Sequence, residues 1–169
     1  MGSMEIRRIE GVVVNDDGCA VDDLSFCGAV QVTVPAAVPW DDFVDLAVQE
    51  QWVGVEALSG VPGTVGEVVG RNAAAYGQRV GDVVASVRTW DLDTDRQRTF
   101  AAADCGFTPQ GSRVSAGNLR ILDGTFLMRQ GDLTQPIYDE TLAGLGGVGP
   151  GQRLPLIVVR EAILRAGLS

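Results

Sequence analysis

Apolar and polar positions alternate with period two in several places along the chain. Val30, Val32 and Val34 fall on one side and Gln31 and Thr33 on the other, which predicts a strand over 29–34 with one buried face. An earlier Ile/Val-rich run over 5–15, closed by Asp16-Asp17-Gly18, predicts another strand and a reversal. The period then changes. After Pro39, Trp40, Phe43, Val44, Ala47 and Val48 recur at helical spacing to Gln51, with Asp41 and Asp42 in the first turn where the helix dipole favours acids. Trp40 and Trp52 bracket this helix and are expected to pack in the core. Further strands are predicted over 80–91, 98–101 and 119–129, with turns at Thr94-Asp95 and Gly131-Asp132 and an irregular loop over 106–117. Helices are predicted over 138–145 and 155–166, separated by the breaker run 146–151, with Pro155 in a first-turn position. Strands joined mostly by turns, with helices inserted between groups, give an α+β fold with a mixed or mostly antiparallel sheet and flanking helices. One domain over 4–169 is expected, 136–169 being its helical tail and Met1-Gly2-Ser3 a cloning remnant.

The stretch over 54–77 is the most informative. Gly60 and Pro62-Gly63 mark a turn, and Thr64 with Glu67 three residues later fits a capping box, so a helix should start at Thr64. Such a start offers backbone N–H groups and a positive dipole end to an anion such as a pyrophosphate; a tight loop without a ligand is the competing reading.

Composition removes many chemistries. The chain carries no histidine, and all 13 basic residues are arginine. Histidine-dependent triads, histidine zinc sites, Schiff-base lysines and phosphate-loop lysines are therefore impossible from this chain alone, and proton transfer falls to Asp, Glu, Tyr, Cys, water or the substrate. A net charge of −9 with scattered arginines argues against nucleic-acid and anionic-membrane partners. Cys19, Cys27 and Cys105 show no metal spacing, Cys105 reading as an inert buried thiol, so no metal and a reduced, cytoplasmic setting are expected. No apolar run is long enough to span a bilayer.

The residues GVEALSGVPGTVGEVVGRNAAAYGQRV over 54–80, then SVRTWD over 86–91, DCGF over 104–107, RQGDL over 129–133 and GPGQRLPLIVVREAIL over 149–164, resemble the second flavin-binding subdomain of the UDP-N-acetylenolpyruvoylglucosamine reductase (MurB) family from about Trp40 onward. The resemblance implies a fold like that subdomain and, for the family, FAD held between two subdomains. Asn72, Ala75, Tyr76 and Gly77 keep the family pattern. Val69 and Arg71 stand where Pro and Gln are usual, and Ala74 where Gly is usual. Gln110 occupies the place of the arginine that stabilises an enolate, and Pro109 that of a tyrosine, while Ser112 is retained. The family's first subdomain with its pyrophosphate loop, and its later serine proton donor, have no counterpart in these residues. A shortened, flavin-free descendant is the expectation.

Such a descendant exposes an apolar cleft that self-association or a new apolar ligand would cover. The favoured expectation is a cofactor-independent cyclase or isomerase acting on an apolar, polyketide-type intermediate of natural-product biosynthesis, with no cofactor and as a homodimer. The alternatives are a FAD-dependent reductase or a non-catalytic subunit whose missing lobe comes from a partner. Tyr76, Asn72 and Glu56 are the candidate catalytic residues, and Trp52, Ser59, Glu67, Arg71, Gln110 and Ser112 the candidate substrate contacts. Each has a competing structural role: Tyr76 as a loop anchor, Glu67 as a helix cap, Gln110 on an uninvolved loop.

Overall fold

The computed structural model describes residues 9–15 and 29–167. Its centre is an antiparallel sheet in the order β1 (Val13–Asn15), β2 (Ala29–Pro35), β8 (Leu119–Gln130), β6 (Val84–Asp91) and β7 (Arg96–Ala101), with β3 (Trp52–Val53) pairing the end of β8. The alternation in β2 sets which face is covered. Val30, Val32 and Val34 are buried with Phe126 and Met128 of β8 and Val84 and Val87 of β6, each such valine contributing roughly 1.5–3 kcal/mol on burial. On the opposite face two cross-strand pairs are polar. Thr33 and Thr125 share a hydrogen bond of 2.8 Å, and Arg88 Nε donates to Asp123 at 2.9 Å.

Helices α1 (Trp40–Gln49) and α2 (Val65–Gly70) cover the apolar face. The rings of Trp40, Phe43 and Phe126 pack together with centroids 4.8–6.0 Å apart, and the Trp40 indole donates to Leu58 O at 3.0 Å. Thr64 caps α2 with the reciprocal Glu67 contacts that the sequence predicts. The tail forms α3 (Glu140–Gly146) and α4 (Leu156–Gly167), close to the helices expected over 138–145 and 155–166. These two pack their own cluster of Ile137, Leu142, Ala143, Val159 and Ile163 around Ala57. Arg160 ties α4 to α1, reaching Asp41 at 2.8 and 3.0 Å and Asp45 at 3.5 Å.

Two expectations change. The strand expected over 80–91 starts at Val84, because Val80 N–H donates to Ala73 O and Gly81 N–H to the Asn72 side chain, which draws 80–82 into a 3-10 turn. Within the described residues the first strand is only Val13–Asn15, since a reversal with Gly11 at φ +85° precedes it. The expected turn over 16–18 lies outside the described residues. A short hairpin, β4 (Ala74–Ala75) and β5 (Gln78–Arg79), was not legible because its flanks lack alternation.

Candidate functional site

The principal cleft, about 600 Å³, lies where the end of the sheet meets the helical tail. Val53, Val83, Leu127, Met128, Ile137 and Leu142 supply apolar walls. Its tail-side wall is a strap pinned by backbone bonds from Thr134 N–H to Leu154 O and from Ile137 N–H to Gln152 O, both 2.8 Å. The wall is therefore preformed.

Glu56 sits in the cleft lining on a 3-10 turn and is 1% exposed. Gly54 N–H donates to its Oε1 at 2.8 Å, and the Gln78 side-chain amide donates to its Oε2. Gln78 Oε1 in turn accepts from Ala57 N–H at 2.9 Å. The carboxylate is thus compensated by amide donors, as a buried charge requires. Gly54 permits the approach: at φ +144°, a Cβ there would lie 2.9 Å from Val83 Cγ1.

Tyr76 occupies the tip of the β4–β5 hairpin. Tyr76 and Gly77 have φ of 51° and 82°, the two positive values of a type I′ turn. An aromatic residue in the left-handed region carries strain of order 1–3 kcal/mol, a feature that concentrates at functional sites. Its side chain lines the cleft, and its hydroxyl has no hydrogen-bond partner among the described residues.

The other candidates lie elsewhere in the fold. Asn72, also at positive φ, donates through Nδ2 to Thr108 O and accepts from Gly81 N–H, both at 2.9 Å, so its amide clamps two loops. Trp52 is buried in the main core, and Ser59 Oγ donates to Glu56 O at 2.7 Å. Ser112 Oγ donates to Gly70 O at 2.7 Å. Glu67, Arg71 and Gln110 do meet, but on a second depression between α2 and the 108–115 loop, where Arg71 donates to Pro62 O at 2.7 Å. Gln78, Arg79, Arg129 and Tyr138 line the principal cleft and carried no local signal. Only the return of β8 and the tail to the hairpin brings them together.

The start of α2 does not fit the pyrophosphate role considered for it. Val65 N–H donates to Val38 O at 2.8 Å and Gly66 N–H to Ala36 O at 3.0 Å. Glu67 N–H donates to Thr64 Oγ1 and Thr64 N–H to Glu67 Oε2, both at 3.3 Å. Every N–H at this helix start is engaged, and Glu67 places a negative charge there. Gly66 serves packing instead, since a Cβ would lie 2.9 Å from Ala36 Cβ. Cys105 is fully buried, and burial with Asp104 nearby pushes its thiol up to about 11, which keeps it an unreactive thiol. Among the described residues no group of acids or cysteines is placed to hold a metal ion, and no helix is long and apolar enough to cross a membrane.

A family model described as FAD binding domain matches residues 5–100. The chain is 44% identical over 149 residues to a UDP-N-acetylenolpyruvoylglucosamine reductase of Cutibacterium acnes, covering 86% of this chain and 40% of that protein. It is 40% identical over 166 residues to the reductase of the same name from Thermobifida fusca, covering 90% of this chain and 46% of that protein. The chain thus spans less than half the length of these relatives. Among solved structures, UDP-N-acetylenolpyruvylglucosamine reductase (MurB) from Thermus caldophilus superposes with a TM-score of 0.58 at 18% identity, over 79% of this chain and 42% of that one. A solvent-stable cholesterol oxidase superposes with a TM-score of 0.51 at 17% identity, over 86% of this chain and 29% of that one.

Proposed function

The chain belongs to the FAD-binding domain family and is MurB-like, and from that premise we propose that it acts as a cofactor-independent cyclase or isomerase on an apolar, polyketide-type molecule held in the Glu56–Tyr76 cleft. The observation that carries the reading is the Tyr76 hydroxyl, without a partner among the described residues, on an apolar cleft where the buried carboxylate of Glu56 is held in place by amides. An apolar cleft that confines a flexible chain to a reactive shape removes much of the entropic part of a cyclisation barrier. The Tyr76 hydroxyl donates to a substrate carbonyl and polarises it, and Glu56 stabilises positive charge that develops opposite. Both groups act on a substrate that leaves with unchanged mass. The engaged N–H groups at the start of α2 support a reading in which no step is routed through flavin.

Incubation with linear polyene precursors, followed by mass spectrometry, is expected to yield an isomer of the same mass at a rate indifferent to added FAD. Tyr76→Phe is expected to slow that product about a hundredfold, the usual effect of removing one donor to a developing oxyanion. Undiminished turnover by the phenylalanine variant would remove Tyr76 from the role. The second reading, a FAD-dependent reductase, is favoured by the 40–44% identity to the named reductases. Stoichiometric FAD uptake by the purified chain, with nicotinamide-dependent reduction of an enolpyruvyl sugar nucleotide, would establish it and displace the cyclase.

A further inference from the structure

The apolar cleft carries two guanidinium groups that make no ion pair among the described residues. Arg79 comes from β5 and Arg129 from β8, strands that do not pair with each other, and both line the same cavity. Arg88, Arg98 and Arg160 each sit within 3.3 Å of a carboxylate oxygen, and Arg71 donates to a carbonyl. The side chains of Arg79 and Arg129 have no hydrogen bond or ion pair among the described residues. Arg96, Arg113, Arg120, Arg153 and Arg165 are likewise without an ion pair among the described residues, but only Arg79 and Arg129 line this cleft. The acids of the lining do not answer them. Glu56 is held by amide donors, Asp139 accepts from Leu142 N–H at 2.9 Å to cap α3, and Asp82 makes no ion pair with either guanidinium.

A planar guanidinium matches the two oxygens of a carboxylate or phosphate. We propose that the ligand of this cleft is an amphiphilic oxyanion whose carboxylate or phosphate head group is gripped by Arg79 and Arg129 and whose apolar chain runs along Val53, Met128, Ile137 and Leu142. The proposal rests on the cleft being a ligand site, as the proposed function has it, and specifies the class of molecule. It makes the arginine pair the element that sets which end of the chain enters first, and so which carbons meet Tyr76.

The test uses the fluorescence of a conjugated polyene fatty acid, its methyl ester, and the Arg79→Gln/Arg129→Gln double variant, with circular dichroism confirming that the variant is folded. The acid is expected to bind the wild-type chain about tenfold or more tighter than the ester, the scale of a charge-assisted hydrogen bond. That preference is expected to vanish in the double variant while ester binding is unchanged. Competition by decanoate against decyl phosphate identifies which head group is preferred. Equal binding of acid and ester, or an acid preference that survives in the double variant, overturns the head-group assignment and leaves the cleft as an apolar site. Failure of both probes to bind overturns the cleft reading and this proposal with it.

Discussion

The amide chain around Glu56 makes a sharp prediction, because its donors and acceptors obey a parity rule. It begins and ends on backbone donors, Gly54 N–H and Ala57 N–H, and only the two side chains of Glu56 and Gln78 lie between. A carboxylate offers two acceptors and an amide one of each kind, so one of each satisfies both ends. In Glu56→Gln, two amides in series must leave one N–H facing another donor, whichever way they are turned. Glu56 is 1% exposed, so water does not repair the fault, and an orphaned buried donor costs about 1–3 kcal/mol. For a chain of this size that is a fall in melting temperature of roughly 2–12 °C. The swap Glu56→Gln/Gln78→Glu restores parity with the carboxylate moved one place along, and is expected to recover most of the loss. Thermal unfolding followed by circular dichroism reads both variants. A Glu56→Gln protein that melts with the wild type, or a swap no more stable than the single variant, would refute the reasoning. Because the swap moves the charge while keeping the fold, it also separates the structural role of Glu56 from its proposed role in turnover.

Two further predictions concern the scaffold. The Asp41 carboxyl is held below its ordinary value of 3.8, first by the hydrogen bond from Arg160, with burial opposing. A carboxyl depressed on folding contributes stability that is present above its unfolded value and lost as pH falls through the folded one. Acid unfolding should therefore show a component below about pH 3.8 that is absent in Asp41→Asn, and identical acid profiles would contradict it. Gly66→Ala and Gly144→Ala both add helix propensity, worth roughly 0.5–1 kcal/mol, but a Cβ at Gly66 meets Ala36 whereas one at Gly144 meets nothing within 4 Å. The first is expected to lower stability by about 1 kcal/mol, because overpacking costs more than propensity returns, and the second to raise it, as denaturant titration would show.

Most of the fold was legible from local chemistry. The valine alternation in 30–34, the acid-led helix from Trp40, the Thr64/Glu67 capping box and the breaker-separated tail helices each depend on neighbours within a few residues, and a sequence displays these directly. The motif over 54–80 likewise carried the MurB-like ancestry without any coordinates.

The site was only half legible, and the reason is sequence separation. Glu56 and Tyr76, which line the cleft, could be singled out because they stand inside the motif. Whether their neighbours Asn72 and Ser59 turn toward a ligand or clamp the backbone depends on Gly81, Thr108 and other partners that the string does not place beside them. Arg79, Arg129 and the strap over 134–142 meet at one cleft because β8 crosses the sheet centre and Arg160 anchors the tail to α1. The sequence by itself determined the elements and the ancestry of this chain. Only the tertiary structure decided which helix-start donors were already engaged and which side chains were left facing an open cavity, since both follow from contacts between segments dozens of residues apart.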